Sequence, residues 1–157
     1  MASGIDVLIV DHSALEAELT LLAVRRAAPY ARTQWFKSSD MALQYFFAKG
    51  EFKNHTPRLP RLVLLELDIP TFNGLSLLDV IRAHPLTETI PVALLSRRCN
   101  PNAFKRGDLF DADAYIHKSS DPEEYCDQLE GLLTRWVPQT PVLRLHPAAL
   151  KPAVALR

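Results

Sequence analysis

The chain has no excess of either charge: 18 Lys and Arg are balanced by 18 Asp and Glu over 157 residues. That balance removes any global electrostatic case for nucleic acid or an anionic membrane as partner. Cysteine is scarce as well. Cys99 and Cys126 lie far apart without metal-ligand spacing, so free thiols in a reducing cytosol are expected rather than a disulfide. Long apolar runs are missing. The run Val7–Val10 is far too short to cross a bilayer and lacks the charged start and long apolar core of a signal peptide. A soluble, cytoplasmic protein is expected. No internal repeat or low-complexity tract precedes Trp136, and the length suits one domain with a substantial core.

What is present alternates. Five apolar runs are separated by helix-like segments, which predicts βαβ units around a parallel sheet. The strands are expected near residues 6–10, 33–36, 62–66, 91–95 and 112–117. Ser13 and Glu16 form a capping-box signature, and Leu15, Leu19 and Leu22 fall on one face of the helix that follows. The next helix carries Met41, Tyr45 and Phe46 and ends near Gly50, a candidate glycine just past its terminus. Residues 51–61 hold Pro57 and Pro60 and read as a long loop. Leu77, Leu78 and Ile81 mark a third helix closed by Pro85. Asn100 and Pro101 make an N-cap and first-turn pair for a fourth. Asp121, Pro122 and Glu124 open the last, lined by Tyr125, Leu129, Leu132, Leu133 and Trp136.

Composition changes after Trp136. Residues 137–157 contain Pro138, Pro141, Pro147 and Pro152, no acid, and Val142, Leu143, Leu145, Leu150, Val154 and Leu156. The prolines forbid one long helix, and the apolar content is too high for a freely solvated segment. Residues 1–136 are therefore expected to form the domain. Residues 137–157 are expected to form an extended arm, with at most a helical turn near residues 148–150, lying over its own domain or a second copy.

The most informative stretch is residues 62–74, LVLLELDIPTFNG. It reads as a buried strand ending on Glu66, a short loop with Pro70, and a turn at Asn73-Gly74 that opens a helix. An acid delivered to the carboxyl edge of a parallel sheet stands where open α/β folds place their chemistry. The pattern resembles the phospho-acceptor segment of two-component receiver domains, with Glu66 at the position of the acceptor aspartate. Four further positions match in type and spacing. Asp11-His12 ends the first strand, where receivers hold a pair of acids. Ser96 lies thirty residues after Glu66, at the phosphoryl-binding hydroxyl, and Lys118 lies 22 residues after Ser96, at the receiver lysine. Tyr115, three residues before Lys118, stands at the aromatic switch position. The resemblance covers residues 5–136. Within it, Gly50-Glu51-Phe52, Ile90-Pro91-Val92 and the C-terminal extension are similar to phytochrome-associated response regulators.

The resemblance implies a flavodoxin-like (βα)5 doubly wound sheet of strand order 2-1-3-4-5. It also implies a single-domain response regulator in a phosphorelay. The partners implied are a sensor histidine kinase or phytochrome-like kinase, downstream proteins, and a second copy in a homodimer through the face of the fifth strand and its flanking helices. No cofactor is required in this reading; the resemblance implies at most a weak Mg²⁺ site, with Asp11, Glu66 and the Asp68 backbone carbonyl as ligands.

Two departures argue against ordinary phosphotransfer. Glu66 is one methylene longer than Asp, and a displacement of ~1 Å can cost on the order of 100-fold in rate. His12 replaces an acid with an imidazole, a poor ligand for a cation that prefers oxygen. As a transition-metal ligand His12 has no second His or Cys at matching spacing. Ser119 stands where a cis-proline usually follows the lysine; a non-proline cis bond costs ~3 kcal/mol, so a trans bond is expected.

The expectation is a pseudo-receiver, not an enzyme, acting by protein contact. The alternatives are a working phospho-receiver that uses Glu66 or Asp11 with Mg²⁺, and a Mg²⁺-dependent phosphohydrolase suggested by Glu66-Leu67-Asp68. The hydrolase motif belongs at the end of the first strand and needs an aspartyl nucleophile. A flavin-binding flavodoxin would need a phosphate loop that His12-Ser13-Ala14-Leu15 does not supply.

Overall fold

Short apolar runs become five parallel strands in a computed structural model that describes residues 4–56, 58–97 and 111–138. The strands are β1 (Val7–Val10), β2 (Thr33–Phe36), β3 (Leu62–Glu66), β4 (Val92–Ser96) and β5 (Ala114–His117). Their order is β2-β1-β3-β4-β5, the doubly wound arrangement expected from the sequence. The helices described are α1 (Ala14–Ala27), α2 (Ser39–Phe46), α3 (Gly74–Ala83) and α4 (Pro122–Trp136). The helix expected after Asn100-Pro101, Cys99 and the arm beyond Pro138 lie outside the described residues. Cys126 is a free thiol.

Alternate residues of each strand feed opposite faces of the sheet. Val7, Ile9, Leu62, Leu64 and Leu95 pack beneath α1 and α4 with Val24, Leu129 and Leu133. Leu8, Val10, Val63, Leu65 and Leu94 pack beneath α2 and α3 with Phe46, Leu77 and Ile81. Because both faces are covered, β1, β3 and β4 are buried along their whole length. That is why they read as continuous apolar runs rather than alternating ones.

Two local expectations need correction. The face of α1 turned to the core is Ala17, Thr20, Ala23, Val24 and Ala27, whereas Leu15 and Leu22 are 70% and 56% exposed. Small residues are chosen by close packing of α1 on α4, where the Thr20 and Tyr125 hydroxyls lie 2.7 Å apart in a buried hydrogen bond. Secondly, α2 ends at Phe46 and two left-handed residues follow it, Ala48 at φ 50° and then the expected Gly50 at φ 55°, which opens a 3₁₀ turn, Gly50–Phe52. The polar segment that follows is a loop, as expected, and it is anchored by aromatic contacts. Phe52 packs tilted against Phe36 and edge-on against Tyr45, and the Tyr45 hydroxyl donates to the Arg58 carbonyl at 3.0 Å. Strand edges differ from expectation by one or two residues, within ordinary assignment scatter. No cis peptide occurs among the described residues, so the Lys118-Ser119 bond is trans.

Candidate functional site

Three strand ends converge at the carboxyl edge of the sheet. Asp11 follows β1, its backbone tied to β2 because its N–H donates to the Phe36 carbonyl at 3.1 Å. Its own carbonyl accepts from the Trp35 indole at 2.7 Å. The side chain is fully buried: Oδ1 accepts from the Ser13 amide at 2.9 Å, and Oδ2 accepts from Lys118 Nζ at 2.5 Å.

Glu66 is the last residue of β3 and only 3% exposed. One carboxylate oxygen accepts from the Asp68 amide at 2.9 Å, and the other pairs with Lys118. The turn beyond it is tight. Phe72 N–H donates to the Pro70 carbonyl at 2.8 Å across Thr71, whose φ is 71°. A positive φ at a β-branched residue is a strained, three-residue turn. It brings Asn73 into place as the N-cap of α3, accepting from the Ser76 amide at 2.9 Å. Gly74 follows because nothing larger fits: a Cβ there would lie 2.2 Å from the Glu66 carbonyl oxygen. The glycine thus serves close approach to the strand end, and the left-handed residue of the turn is Thr71.

Lys118 follows β5 and is 5% exposed. Its N–H donates to the Ser96 carbonyl at 2.7 Å, which holds the ends of β4 and β5 together. The ammonium donates to Asp11, to Glu66 and to a third acid, Glu16 Oε2, at 2.6 Å. Sequence reading gave Glu16 only a capping role. Half of that box exists: Ser13 Oγ accepts from the Glu16 amide at 3.4 Å. The return bond to the Ser13 amide is made by Asp11 instead. Glu16 is thereby released to face Lys118 with one oxygen and Arg97 with the other. The missed signal was its position: the first turn of the helix leaving Asp11 points its side chains back over the strand ends.

Ser96 is fully buried and is hydrogen-bonded through its side chain to Tyr115, on the neighbouring strand. His12 is exposed at 44% of its side chain, with Nδ1 3.9 Å from Asp11 Oδ1. The structure therefore brings Asp11, Glu66 and Lys118 into contact, places the Ser96–Tyr115 pair on the adjoining strands, and turns His12 toward solvent. The Asp68 amide points at Glu66, while its side chain is exposed.

The electrostatics follow from that packing. Burial pulls the Lys118 pKa down, but bonds to Asp11, Glu16 and Glu66 outweigh it and leave the pKa raised. Burial pushes Glu16 up, while Lys118 and Arg97 together leave it below the usual carboxylate range. Tyr125 is pushed up to about 12, chiefly by burial. A raised lysine pKa contributes stability that is complete below the unfolded value of 10.5 and is lost as pH rises through the folded one. Tyr125 acts in the same direction, since the unfolded chain releases its proton near 10 and the folded chain only near 12. The urea midpoint should therefore fall from about pH 10 to about pH 12. A flat midpoint across that window would show that neither group is held as described.

A doubly wound five-strand sheet with acids and a lysine gathered at its carboxyl edge defines a receiver-type signalling fold. The response regulator receiver domain model matches residues 7–130, and the chain belongs to that family. It is 25% identical over 132 residues to the probable methanogenesis regulatory protein FilR2 of Methanothrix harundinacea, covering 83% of each chain. It is 23% identical over 131 residues to the response regulator Rcp1 of Synechocystis, covering 83% of this chain and 88% of that one. Among solved structures, the phosphorylated cyanobacterial phytochrome response regulator RcpA superposes with a TM-score of 0.75 at 22% identity, over 88% and 97% of the two chains. Receiver domains are signalling modules that work through kinases and other proteins. Among the described residues, no helix is long and apolar enough to cross a membrane.

The residues present do not fit the Mg²⁺ that the family implies. The carboxylates that converge are Asp11, Glu16 and Glu66, with ligand atoms within 4.8 Å of one another. The Lys118 ammonium is already seated among them.

Proposed function

We propose that the chain is a pseudo-receiver: a response-regulator module that takes no phosphoryl group at Glu66 and signals through protein contact. The observation that carries this reading is the Glu66 carboxylate itself. Each oxygen already accepts a bond, one from the Asp68 amide and one from Lys118, so the lysine that would receive a phosphoryl oxygen is paired with the side chain itself. The anion that phosphorylation would otherwise create beside Lys118 is permanently supplied by the side chain. No ligand then favours a second state, and the domain stays in one conformation. The similarity to phytochrome response regulators makes a phytochrome-like sensor kinase the upstream partner in this reading. Incubation with acetyl phosphate and Mg²⁺, followed by intact-mass measurement, tests it. The mass should not change; a gain of one phosphoryl group would establish a working receiver instead.

The reading includes a two-fold homodimer, the commonest closed assembly. It is supported by β5 being an edge strand and by a groove of about 440 Å³ that runs between β5 and α4 along Tyr115, His117, Gln128 and Leu132. Light scattering at tens of micromolar should give a dimer for the full chain and a smaller average mass for a chain ending at Trp136. Equal, monomeric masses would remove the arm-assisted dimer from the reading.

A further inference from the structure

We infer that Lys118 is the built-in cation of this site, and that Glu16 completes a three-carboxylate cage around its ammonium in place of a divalent metal. The inference rests on the pseudo-receiver reading and adds the reason for it: the position a metal would take is filled by the protein's own charge. The geometry is specific. Nζ donates at 2.5 Å to Asp11 and 2.6 Å to Glu16, and it pairs with Glu66 as well. An ammonium has three donors and no acceptor, so three carboxylates saturate it. The same three acids have ligand atoms within 4.8 Å of one another, a spacing that one cation can bridge. A metal ion entering there would meet a buried, fully hydrogen-bonded positive charge a few ångströms away. The ammonium would have to leave first.

Glu16 is what tightens this arrangement. Asp11 and Glu66 come from strand ends, but Glu16 comes from the first turn of α1 and closes the remaining side. Its other oxygen is bound by Arg97, immediately after β4. The three acids and two bases carry a net charge of one negative, so the cage is close to neutral as folded. Adding a dication would make it positive, whereas removing the lysine would leave two charges more suited to a dication. Exclusion of metal therefore depends on the occupant as well as on the ligands, and a change that draws Glu66 back from Lys118 loosens both.

Mn²⁺ titration, followed by electron paramagnetic resonance and by thermal shift, tests this on three proteins. The native chain should show no site with a dissociation constant below about 1 mM. Lys118→Met should acquire one, with a Mn²⁺-dependent rise in melting temperature. Lys118→Met combined with Glu16→Gln should bind at least about tenfold more weakly than Lys118→Met, since a ligand oxygen and a charge are lost. Submillimolar Mn²⁺ binding by the native chain overturns the inference, even where intact mass still shows no phosphorylation, so the two readings fail separately. Equal affinity of the single and double variants also overturns it, because Glu16 would then lie outside the cage. If Lys118→Met folds only when Mn²⁺ is present, the inference is supported. If it folds under neither condition, the native titration alone decides.

Discussion

Glu66→Asp together with His12→Asp should convert a chain that acetyl phosphate leaves unchanged into one that gains a phosphoryl group. Shortening Glu66 by one methylene draws the carboxylate back from its ion pair with Lys118 and restores the reach of an aspartate. Correct placement of a reacting atom is worth on the order of 100-fold per ångström. His12 lies beside Asp11, with Nδ1 3.9 Å from Oδ1, and is exposed, so an acid there would face the entrance to the site without strain. It would supply the hard oxygen ligand that the imidazole cannot. Glu66→Asp alone should react weakly, because the metal pair is still incomplete. His12→Asp alone should not react, because Glu66 still occupies Lys118. Intact mass with and without Mg²⁺ separates the four proteins. Silence of the double variant, with its fold verified by circular dichroism, would place the block elsewhere than at these two residues.

Lys118→Met should lower stability by about 3–5 kcal/mol at neutral pH without added metal, the usual cost of leaving a buried charge without its partner. Here three carboxylates would lose one shared cation, and Asp11 and Glu66 are almost completely buried. The loss has a definite pH dependence. In the native protein Lys118 and Arg97 hold the Glu16 pKa below the usual carboxylate range, which contributes stability that is lost as pH falls through the acid range. Without the ammonium Glu16 keeps only Arg97, so the variant has less of that stability to lose. Urea denaturation of both proteins at about pH 8 and about pH 5 should therefore show the gap narrowing. A gap that stays constant would mean that the carboxylates remain compensated by other groups.

The α1 helix shows what sequence pattern could not decide. It carries two stripes at helical spacing: Leu15, Leu19 and Leu22, and the smaller Ala17, Thr20, Ala23, Val24 and Ala27. Hydrophobicity favours the leucines, but the core takes the small residues, because α4 approaches α1 closely enough for Tyr125 to reach Thr20. Interhelical distance is a tertiary quantity and leaves no mark on the period. Gly50 has the same lesson in miniature. It was the obvious terminus for α2, yet the chain first turns left-handed at Ala48 and only then at Gly50, ahead of Phe52, which packs against Phe36 and Tyr45.

The site divides along similar lines. Strand identity, parallel order and the meeting of Asp11, Glu66 and Lys118 were legible in the chain. Each lies at the end of an apolar run, and a parallel sheet buried on both faces brings all such ends to one edge. What only the tertiary structure decided is which charges face one another once they arrive there. Asp11 takes the Ser13 amide that Glu16 was expected to cap, and Glu16 turns to Lys118 instead. That exchange depends on side chains from β1, α1 and β5 competing for one buried ammonium, with Lys118 separated from Asp11 by 107 positions in the sequence. Local spacing reports the cap a residue can make, while burial and charge pairing across the sheet determine the partner it takes.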